Sequence, residues 1–377
     1  MNLSKTFLLS IGLLFLSNIV FAQDPSFSQF YANSTYLNPA LTALRSGVTV
    51  NSAYRNQWFG VPNSKGFETF TASAEAEVPF LFGLGLSVLS DKEGHADYKT
   101  SAARLSFSKA VPLSSKLNLH AGASAGYMER AIDWSKLVFS DQLDPTMGVV
   151  SNSKFAFDDT KIIAADFSGG LALRWDWAIK PNKKTYDSHH LLGFAIHHPF
   201  MQNESLQHYD SVDVPTRFTV HYGAEINTNI RFNNQKNQIT WSPNIKYDRQ
   251  KSIDVLTAGA YLVMQPAYAG IFYQNQLNPA HTARNTATVI FVLGTNVPFG
   301  KENTAQLGVS YDMNLSGFDI ASNRSGTIEL TATLNFGNAG LFGMGFGGGS
   351  GGHTGSKYRG ATKKSGSKRV LKCQSFF

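Results

Sequence analysis

The chain has 377 residues, of which 42% are hydrophobic and 16% are charged, and its formal net charge is +7. The charge is unevenly spread: the residues after 337 contain seven lysines and arginines and no acid, so the preceding body is close to neutral. A nucleic-acid-binding domain is therefore not expected, since it would carry a basic patch on its folded surface. The single cysteine, Cys373, excludes an internal disulfide framework.

Residues 1–22 are typical of a secretory signal peptide. Lys5 gives the positive start, an apolar run follows over residues 7–21, and the segment ends in a small-residue cleavage site at Ala22. A buried N-terminal helix is the alternative. The mature chain is expected to begin at Gln23 and to work outside the cytoplasm. After residue 22 the sequence contains no run of 18 apolar residues, so no membrane-spanning helix is expected.

Residues 23–44 are expected to form an N-terminal periplasmic or plug segment, packed in or against the mouth of the domain that follows. The segment is too apolar for a solvated leader, because burying each large side chain would contribute about 1.5–3 kcal/mol. These side chains are Phe27, Phe30, Tyr31, Tyr36, Leu37 and Leu41.

Residues 45–337 are predicted to form an all-β, transmembrane outer-membrane β-barrel of about fourteen antiparallel strands. In the last strand, Thr327–Phe336, Ile328 and Leu330 alternate with Glu329 and Thr331, as expected when one face meets lipid and the other faces the barrel interior. Strands of 9 to 13 residues suit a tilted membrane crossing. The approximate limits are 46–56, 67–78, 82–90, 98–110, 116–128, 162–178, 188–198, 215–227, 237–247, 253–264, 267–276, 285–297, 304–315 and 326–336.

The predicted connections alternate between short turns and long loops. Short turns are expected after Val78-Pro79, Val111-Pro112 and Val297-Pro298, and at Pro266. The longer connections are 57–66, 91–97, 129–161, 199–214, 277–284 and 316–325. This asymmetry is typical of periplasmic turns and extracellular loops, and the even strand number places both mature ends on the periplasmic side. Pro243 lies inside a predicted strand and is interpreted as a bulge.

Residues 338–377 are predicted to be a flexible periplasmic tail, Gly-rich at first and then basic with an apolar end. Such an end suits docking to an acidic protein surface or to anionic lipid headgroups. A passive basic tail lying on phospholipid is the alternative. The candidate docking residues are Lys368, Arg369, Leu371, Cys373, Phe376 and Phe377.

The sequence predicts no enzyme, cofactor or metal site. Residues 122–126 match the G-x-S-x-G pattern of hydrolases, but they lie in a predicted strand with no following helix. Small residues on a barrel wall explain them better. The pairs His189-His190 and His197-His198 point to opposite faces of a strand and are poor chelates.

The segment Tyr54-Arg55-Asn56-Gln57-Trp58 ends the first predicted strand, and the run from Asp91 to Gly94 follows the third. Together with the region from Gln23 to Ala40, which contains Leu37-Asn38-Pro39-Ala40, these residues resemble the PorP/SprF family of type IX secretion system membrane proteins of the Bacteroidetes. The resemblance is close from Gln23 to about Gly94. It departs in the tail, where family members often end in Cys-Pro and this chain reads Cys373-Gln374.

The resemblance implies an outer-membrane partner of a secreted surface adhesin, binding its C-terminal domain for secretion and retention at the cell surface, as in gliding motility. The other partners it implies are periplasmic and outer-membrane type IX components and the surrounding lipid. The candidate partner-binding residues are Tyr54, Arg55, Asn56, Gln57, Trp58, Asp91 and Gly94. A diffusion channel for small solutes is the alternative. A channel predicts an open, charged lumen, whereas a protein-binding barrel predicts a filled one.

Overall fold

The computed structural model describes residues 24–59, 66–78, 82–94, 96–144, 146–153, 160–179, 186–200, 214–231, 238–277, 286–300, 302–315 and 326–337. The predicted signal peptide and tail lie outside these residues, as do parts of several predicted long loops. None of the helices in the described ranges is long and apolar enough to cross a membrane.

Fourteen strands of the described chain form one closed antiparallel barrel. Neighbours in the sequence pair with each other around the ring, and the barrel closes where the first strand pairs with the last, from Val48 opposite Phe336 to Gln57 opposite Thr327. The strands are β1 (Val48–Gln57), β2 (Phe67–Val78), β3 (Phe82–Glu93), β4 (Tyr98–Ser114), β5 (Leu117–Ala131), β8 (Lys161–Ile179), β9 (Tyr186–His197), β10 (Arg217–Arg231), β11 (Gln238–Gln250), β12 (Ile253–Met264), β13 (Ala267–Leu277), β14 (Thr286–Phe299), β15 (Asn303–Asn314) and β16 (Thr327–Phe336). Two short strands, β6 (Leu143–Asp144) and β7 (Gly148–Val149), form a separate hairpin between β5 and β8. The predicted fourteen-stranded barrel is confirmed.

The predicted alternation of faces is also confirmed. In β15 and β16 the apolar side chains of Leu307, Val309 and Leu330 are 50%, 42% and 49% exposed on the outside, where lipid would lie. Their polar neighbours Glu329 and Thr331 are buried inside. Because the side-chain period of a strand is two, this phase places every second residue of the wall in the lumen.

Three proline predictions need correction. Strand β4 runs through Pro112, opposite Asn118, and β14 runs through Pro298, so these turns begin later than expected. Pro243 is not a bulge, because β11 keeps one register with β12 across it, and the register shift on its other side lies between Asn227 and Arg231. Proline removes only a donor, so the strand passes through it with one ladder bond fewer.

The two ends of the barrel differ in their connections. One end, here the turn end, has tight connections such as 115–116, 265–266 and 300–302; the other, the loop end, carries connections 132–160 and 198–216. The asymmetry is not complete. Strand β3 continues to Glu93, so the connection predicted over 91–97 is only residues 94–97, and β11 and β12 are joined by residues 251–252.

Candidate functional site

The interior of the barrel is occupied by residues 24–46, here called the plug. The plug contains a 3-10 turn over Phe30–Asn33, one α-helical turn over Ser34–Leu37 and a second 3-10 turn over Pro39–Leu41. Its apolar side chains form a core with inward residues of the wall, as in the edge-on contact of the Phe30 and Phe272 rings, whose centroids are 6.2 Å apart. The remaining members of this core are Tyr31, Leu37, Ala40, Leu41, Ala172, Leu191, Tyr261, Val263, Tyr268, Ile290 and Val292.

Asn38 anchors the middle of the plug to the wall. Its fully buried side-chain amide donates to the Leu171 carbonyl at 3.1 Å, the Phe194 carbonyl at 3.3 Å and His221 Nε2 at 3.1 Å. The side-chain oxygen accepts from the Ala40 backbone N–H at 2.9 Å, which caps the second 3-10 turn. The Leu-Asn-Pro-Ala segment is thus a turn whose asparagine satisfies polar groups of the wall as well as its own backbone.

Inward glycines make room for this anchor. A Cβ atom on Gly170 or Gly193 would overlap the Asn38 side chain, and one on Gly122 would overlap the Pro39–Ala40 backbone. These glycines lie in β8, β9 and β5, which are consecutive around the barrel. The run over residues 122–126 is therefore wall, as predicted, and Gly122 in addition seats the plug.

A buried ion cluster holds the plug nearer the loop end. Arg55 Nη1 lies 2.9 Å from Asp312 Oδ2 and 3.2 Å from Glu329 Oε2, and it donates to Ser28 Oγ at 2.6 Å. Glu329 also accepts from the backbone N–H groups of Ser28 and Gln29, both at 2.8 Å. Two buried carboxylates thus share one guanidinium and two plug amides, which compensates the cost of burying charge.

A second ion cluster fixes the first described residue of the plug. Asp24 Oδ2 lies 3.0 Å from both His198 Nε2 and Arg217 Nη1, and His198 Nδ1 lies 2.8 Å from Asp166 Oδ1. Burial alone would lower the pKa of His198, but the carboxylates of Asp24 and Asp166 outweigh it and raise this pKa to about 9. Burial would raise the pKa of Asp24, but the charges of His198 and Arg217 hold it well below the usual range.

The plug runs through the lumen from one end to the other. Asp24 contacts His198, which follows β9, and Arg217, which begins β10, both at the loop end. Ser46 accepts from the side-chain amide of Asn335 at 3.2 Å, at the turn end. The strand ends Val48 and Phe336 do share the turn end, as expected. The plug, however, carries Asp24 to the opposite end. The predicted mature start, Gln23, and the tail lie outside the described residues, so the side of the two mature ends stays a prediction.

The YRNQW residues do not share one surface. Tyr54 faces outward and lies 3.4 Å from the Glu68 carboxylate, and Asn56 Nδ2 lies 3.5 Å from the Tyr54 hydroxyl. Arg55 points inward to the plug, and Gln57 is the last residue of β1. Trp58 has a φ of 60° and packs edge-on against Phe67, with ring centroids 4.9 Å apart.

Asp91 and Gly94 belong to the neighbouring part of the wall. Asp91 is buried and accepts from Thr69 Oγ1 at 2.6 Å, and Thr69 pairs with Arg55 across β1 and β2. Arg55 and Asp91 therefore lie at one level of the inner wall. Gly94 has a φ of 65°, which suits the turn after β3. The proposed docking residues of the tail lie outside the described residues.

The two histidines of each adjacent pair contact different partners. His197 lies 3.1 Å from Ser168 Oγ and 3.3 Å from the Leu37 carbonyl, whereas His198 belongs to the Asp24 cluster. His189 contacts Asp176, and His190 stacks on Trp175 with ring centroids 5.1 Å apart. Within the part of the chain that the structure describes, no group of three or more His, Cys, Asp or Glu side chains is arranged to hold a metal ion.

The sequence does not reveal that Asn38 anchors the plug in a seat of glycines, or that the inward acids Asp312 and Glu329 bind the plug. One signal in the sequence points to them: glycines and carboxylates recur on the inward face of the predicted strands, where they can contact a segment inside the barrel. Their partners could not be read from the sequence, since the contacts join residues that are far apart in the chain.

Comparison with solved structures finds outer-membrane barrels at low identity. The CymD monoaromatic hydrocarbon channel is 11% identical, covers 81% of this chain and 93% of its own, and gives a TM-score of 0.40. A FadL homologue of Pseudomonas aeruginosa is 13% identical with a TM-score of 0.41, covering 81% and 94%. The Pseudomonas putida toluene transporter TodX is 11% identical with a TM-score of 0.39, covering 84% and 98%.

The comparison with curated proteins found no match. The family described as "Type IX secretion system membrane protein PorP/SprF" matches residues 19–334, which include the plug and nearly all of the barrel. The chain therefore belongs to the PorP/SprF family of type IX secretion system membrane proteins.

Proposed function

We propose that this protein is an outer-membrane barrel that holds a type IX secretion substrate, a surface adhesin, by its C-terminal domain during export and retention at the cell surface, as in gliding motility. The family membership supports a role in type IX secretion. The observation that carries the choice between a protein-binding barrel and a channel is the filled lumen.

The plug contacts the inner wall on all sides. It meets β1 and β16 at Arg55 and Glu329, β5 at Gly122, β10 at His221 and β13 at Phe272. A solute channel needs a continuous water-filled path. Here the middle of the lumen holds an apolar core and the buried side chain of Asn38. This packing favours a protein-binding barrel over a diffusion channel.

The loop end offers surface for a partner. In the connection between β5 and β8, the β6–β7 hairpin is shaped by Asp144, whose carboxylate accepts from the backbone N–H groups of Thr146 and Met147 at 2.8 and 2.9 Å. Met147 is 77% exposed, and four further apolar side chains of the same connection are more than half exposed: Val138, Leu143, Val149 and Val150. An ordered hairpin with an apolar surface is typical of an interaction site.

We assign the loop end to the cell exterior and the turn end to the periplasm, in line with the usual asymmetry of such barrels. The connections after β1, β5 and β9 then face the exported partner. The tail, through Lys368, Arg369, Leu371, Cys373, Phe376 and Phe377, would reach periplasmic secretion components.

Affinity purification from native outer membrane tests this proposal. The barrel should co-purify with an exported surface protein, identified by mass spectrometry. Replacing residues 143–149 by a short Gly-Ser turn should lower the amount retained, while the heat-resistant mobility of the folded barrel stays unchanged. A matched control changes Ser151 and Asn152, which are exposed and polar in the same loop. Purification of the barrel with no exported protein would contradict the proposed function.

A further inference from the structure

The barrel closes at the strand pair β1–β16, here called the seam, and side chains join this pair in addition to its backbone ladder. The two strands are the shortest of the barrel, with ten residues each. On the inner face, Asn335 Nδ2 donates to Thr49 Oγ1 at 2.9 Å, and Thr333 Oγ1 donates to Asn51 Oδ1 at 2.9 Å. The partners in each bond are directly opposite across the seam. The seam therefore presents a row of polar cross-links to the lumen.

Nearer the loop end, the plug itself bridges the seam. Arg55 in β1 and Glu329 in β16 are directly opposite, and both bind Ser28. Arg55 Nη1 donates to the Ser28 hydroxyl at 2.6 Å, and the Ser28 backbone N–H donates to Glu329 Oε2 at 2.8 Å. Gln29 adds its backbone N–H, which donates to Glu329 Oε1 at 2.8 Å, and its side-chain oxygen, which accepts from Thr331 Oγ1 at 2.9 Å. Residues 28 and 29 therefore contact both strands of the seam.

These bridging contacts are buried, and several involve a charged group. Ser28, Gln29 and Glu329 are all shielded from solvent, and a hydrogen bond with an ionised donor or acceptor is roughly twice as strong as a neutral one. The plug meets β16 again at the turn end, where Asn335 donates to the Ser46 carbonyl at 3.2 Å. The chain then enters β1 at Val48. The plug is thus covalently joined to the first strand and hydrogen-bonded to the last.

The seam is the pairing that gains most from such a bridge. Its strands lie at opposite ends of the barrel sequence, so their pairing closes the longest loop and carries the largest closure entropy. An open seam would leave unpaired N–H and C=O groups in hydrocarbon, at several kcal/mol each. A segment attached to β1 that also binds β16 raises the effective concentration of one strand near the other.

We propose that residues 28 and 29 form a strap across the seam, through which the plug stabilises the closed barrel. The proposal goes beyond the proposed function, because it holds whatever partner the barrel binds. Loosening the strap should weaken the β1–β16 pairing and leave the opposite side of the ring unchanged.

Hydrogen exchange of strand amides in the detergent-solubilised full chain tests the strap. The double variant Ser28→Ala with Gln29→Ala removes the two plug side chains that contact the seam and leaves every wall residue in place. Amides of β16 should exchange at least tenfold faster in this variant. Amides of β9, which lies across the ring from the seam, should keep their protection.

A second double variant, Tyr31→Phe with Asn33→Ala, is the matched control. It removes plug contacts with His221 in β10 and Thr71 in β2, so it loosens the plug at places away from the seam. Exchange of the β16 amides should stay at the wild-type rate.

Three results would overturn the strap. They are wild-type exchange of β16 in the strap variant, equal acceleration of β16 in the control, and equal acceleration of β9 and β16, which would indicate general destabilisation. If the strap variant does not give the heat-resistant mobility of a folded barrel, Gln29→Ala alone takes its place. That variant removes the side-chain contact with Thr331 and should accelerate β16 exchange at least threefold; an unchanged rate overturns the strap as well.

Discussion

Replacing Asn38 by alanine should loosen the plug without opening the barrel wall. The substitution removes the amide hydrogens that reach the wall at Leu171, Phe194 and His221, and the oxygen that accepts from Ala40. The amide group has two hydrogens and one oxygen to offer, so three net hydrogen bonds are lost, each contributing about 1 kcal/mol. The total of about 3 kcal/mol corresponds to a population of the released plug about a hundredfold higher.

Hydrogen exchange of the plug backbone in detergent-solubilised protein measures this change. Amides of the plug should exchange about a hundredfold faster in Asn38→Ala, while amides of the barrel strands keep their protection. Asn33→Ala is the matched control. Among the described residues the Asn33 side chain makes one hydrogen bond to the wall, to Thr71 Oγ1 at 3.0 Å, so this variant should accelerate exchange only about fivefold. Equal exchange in both variants, or unchanged exchange in Asn38→Ala, would refute the anchor.

Three further predictions rest on the same geometry. The pKa of His198 in the folded protein is raised to about 9. Its stabilisation of Asp24 is therefore complete below about pH 6.5, where the unfolded side chain is also charged, and is lost as the pH rises through 9. Protease cleavage near Asp24 should increase over that range, and a His198→Gln variant should be cleaved at neutral pH. Leu330→Arg places a charge on the lipid face near mid-membrane and should cost about 2–4 kcal/mol of folding free energy in denaturant titrations in lipid vesicles, against less than about 1.5 kcal/mol for Leu330→Met. In a cysteine-free background, Met147→Cys, at a loop-end position that is 77% exposed, should react with a membrane-impermeant maleimide on intact cells and Ser46→Cys should not; the reverse pattern would place the loop end in the periplasm.

The wall of the barrel is more predictable from the sequence than its contents. Strand phase is local, so the alternation around Leu330 and Glu329 is enough to identify both faces of the last strand. The apolar character of Phe30 and its neighbours likewise predicts burial of the segment that precedes the barrel. The path of that segment could not be predicted, because Asn38 and Gly193, or Arg55 and Asp312, meet only after the barrel closes.

In the candidate site, too, the direction of a side chain is predictable from the sequence but its distant partners are not. The family resemblance points to Arg55, whereas its inward direction follows from its place in β1 and its partners follow from long-range pairing. The YRNQW residues are contiguous in sequence, so they were expected to act together. In a strand, neighbours point to opposite faces, and the structure separates Tyr54 and Asn56 from Arg55 for this reason.

The central claim is that the lumen is closed by the plug, and ion conductance in planar lipid bilayers tests it most directly. The purified wild-type protein, inserted at neutral pH and moderate salt, should give no steady conductance. A variant lacking residues 24–37, with Asn38 replaced by alanine, should give steady open-channel steps, because the apolar core and the anchor are both removed. Steady conductance by the wild type, equal to that of the variant, would contradict the account and favour a diffusion channel.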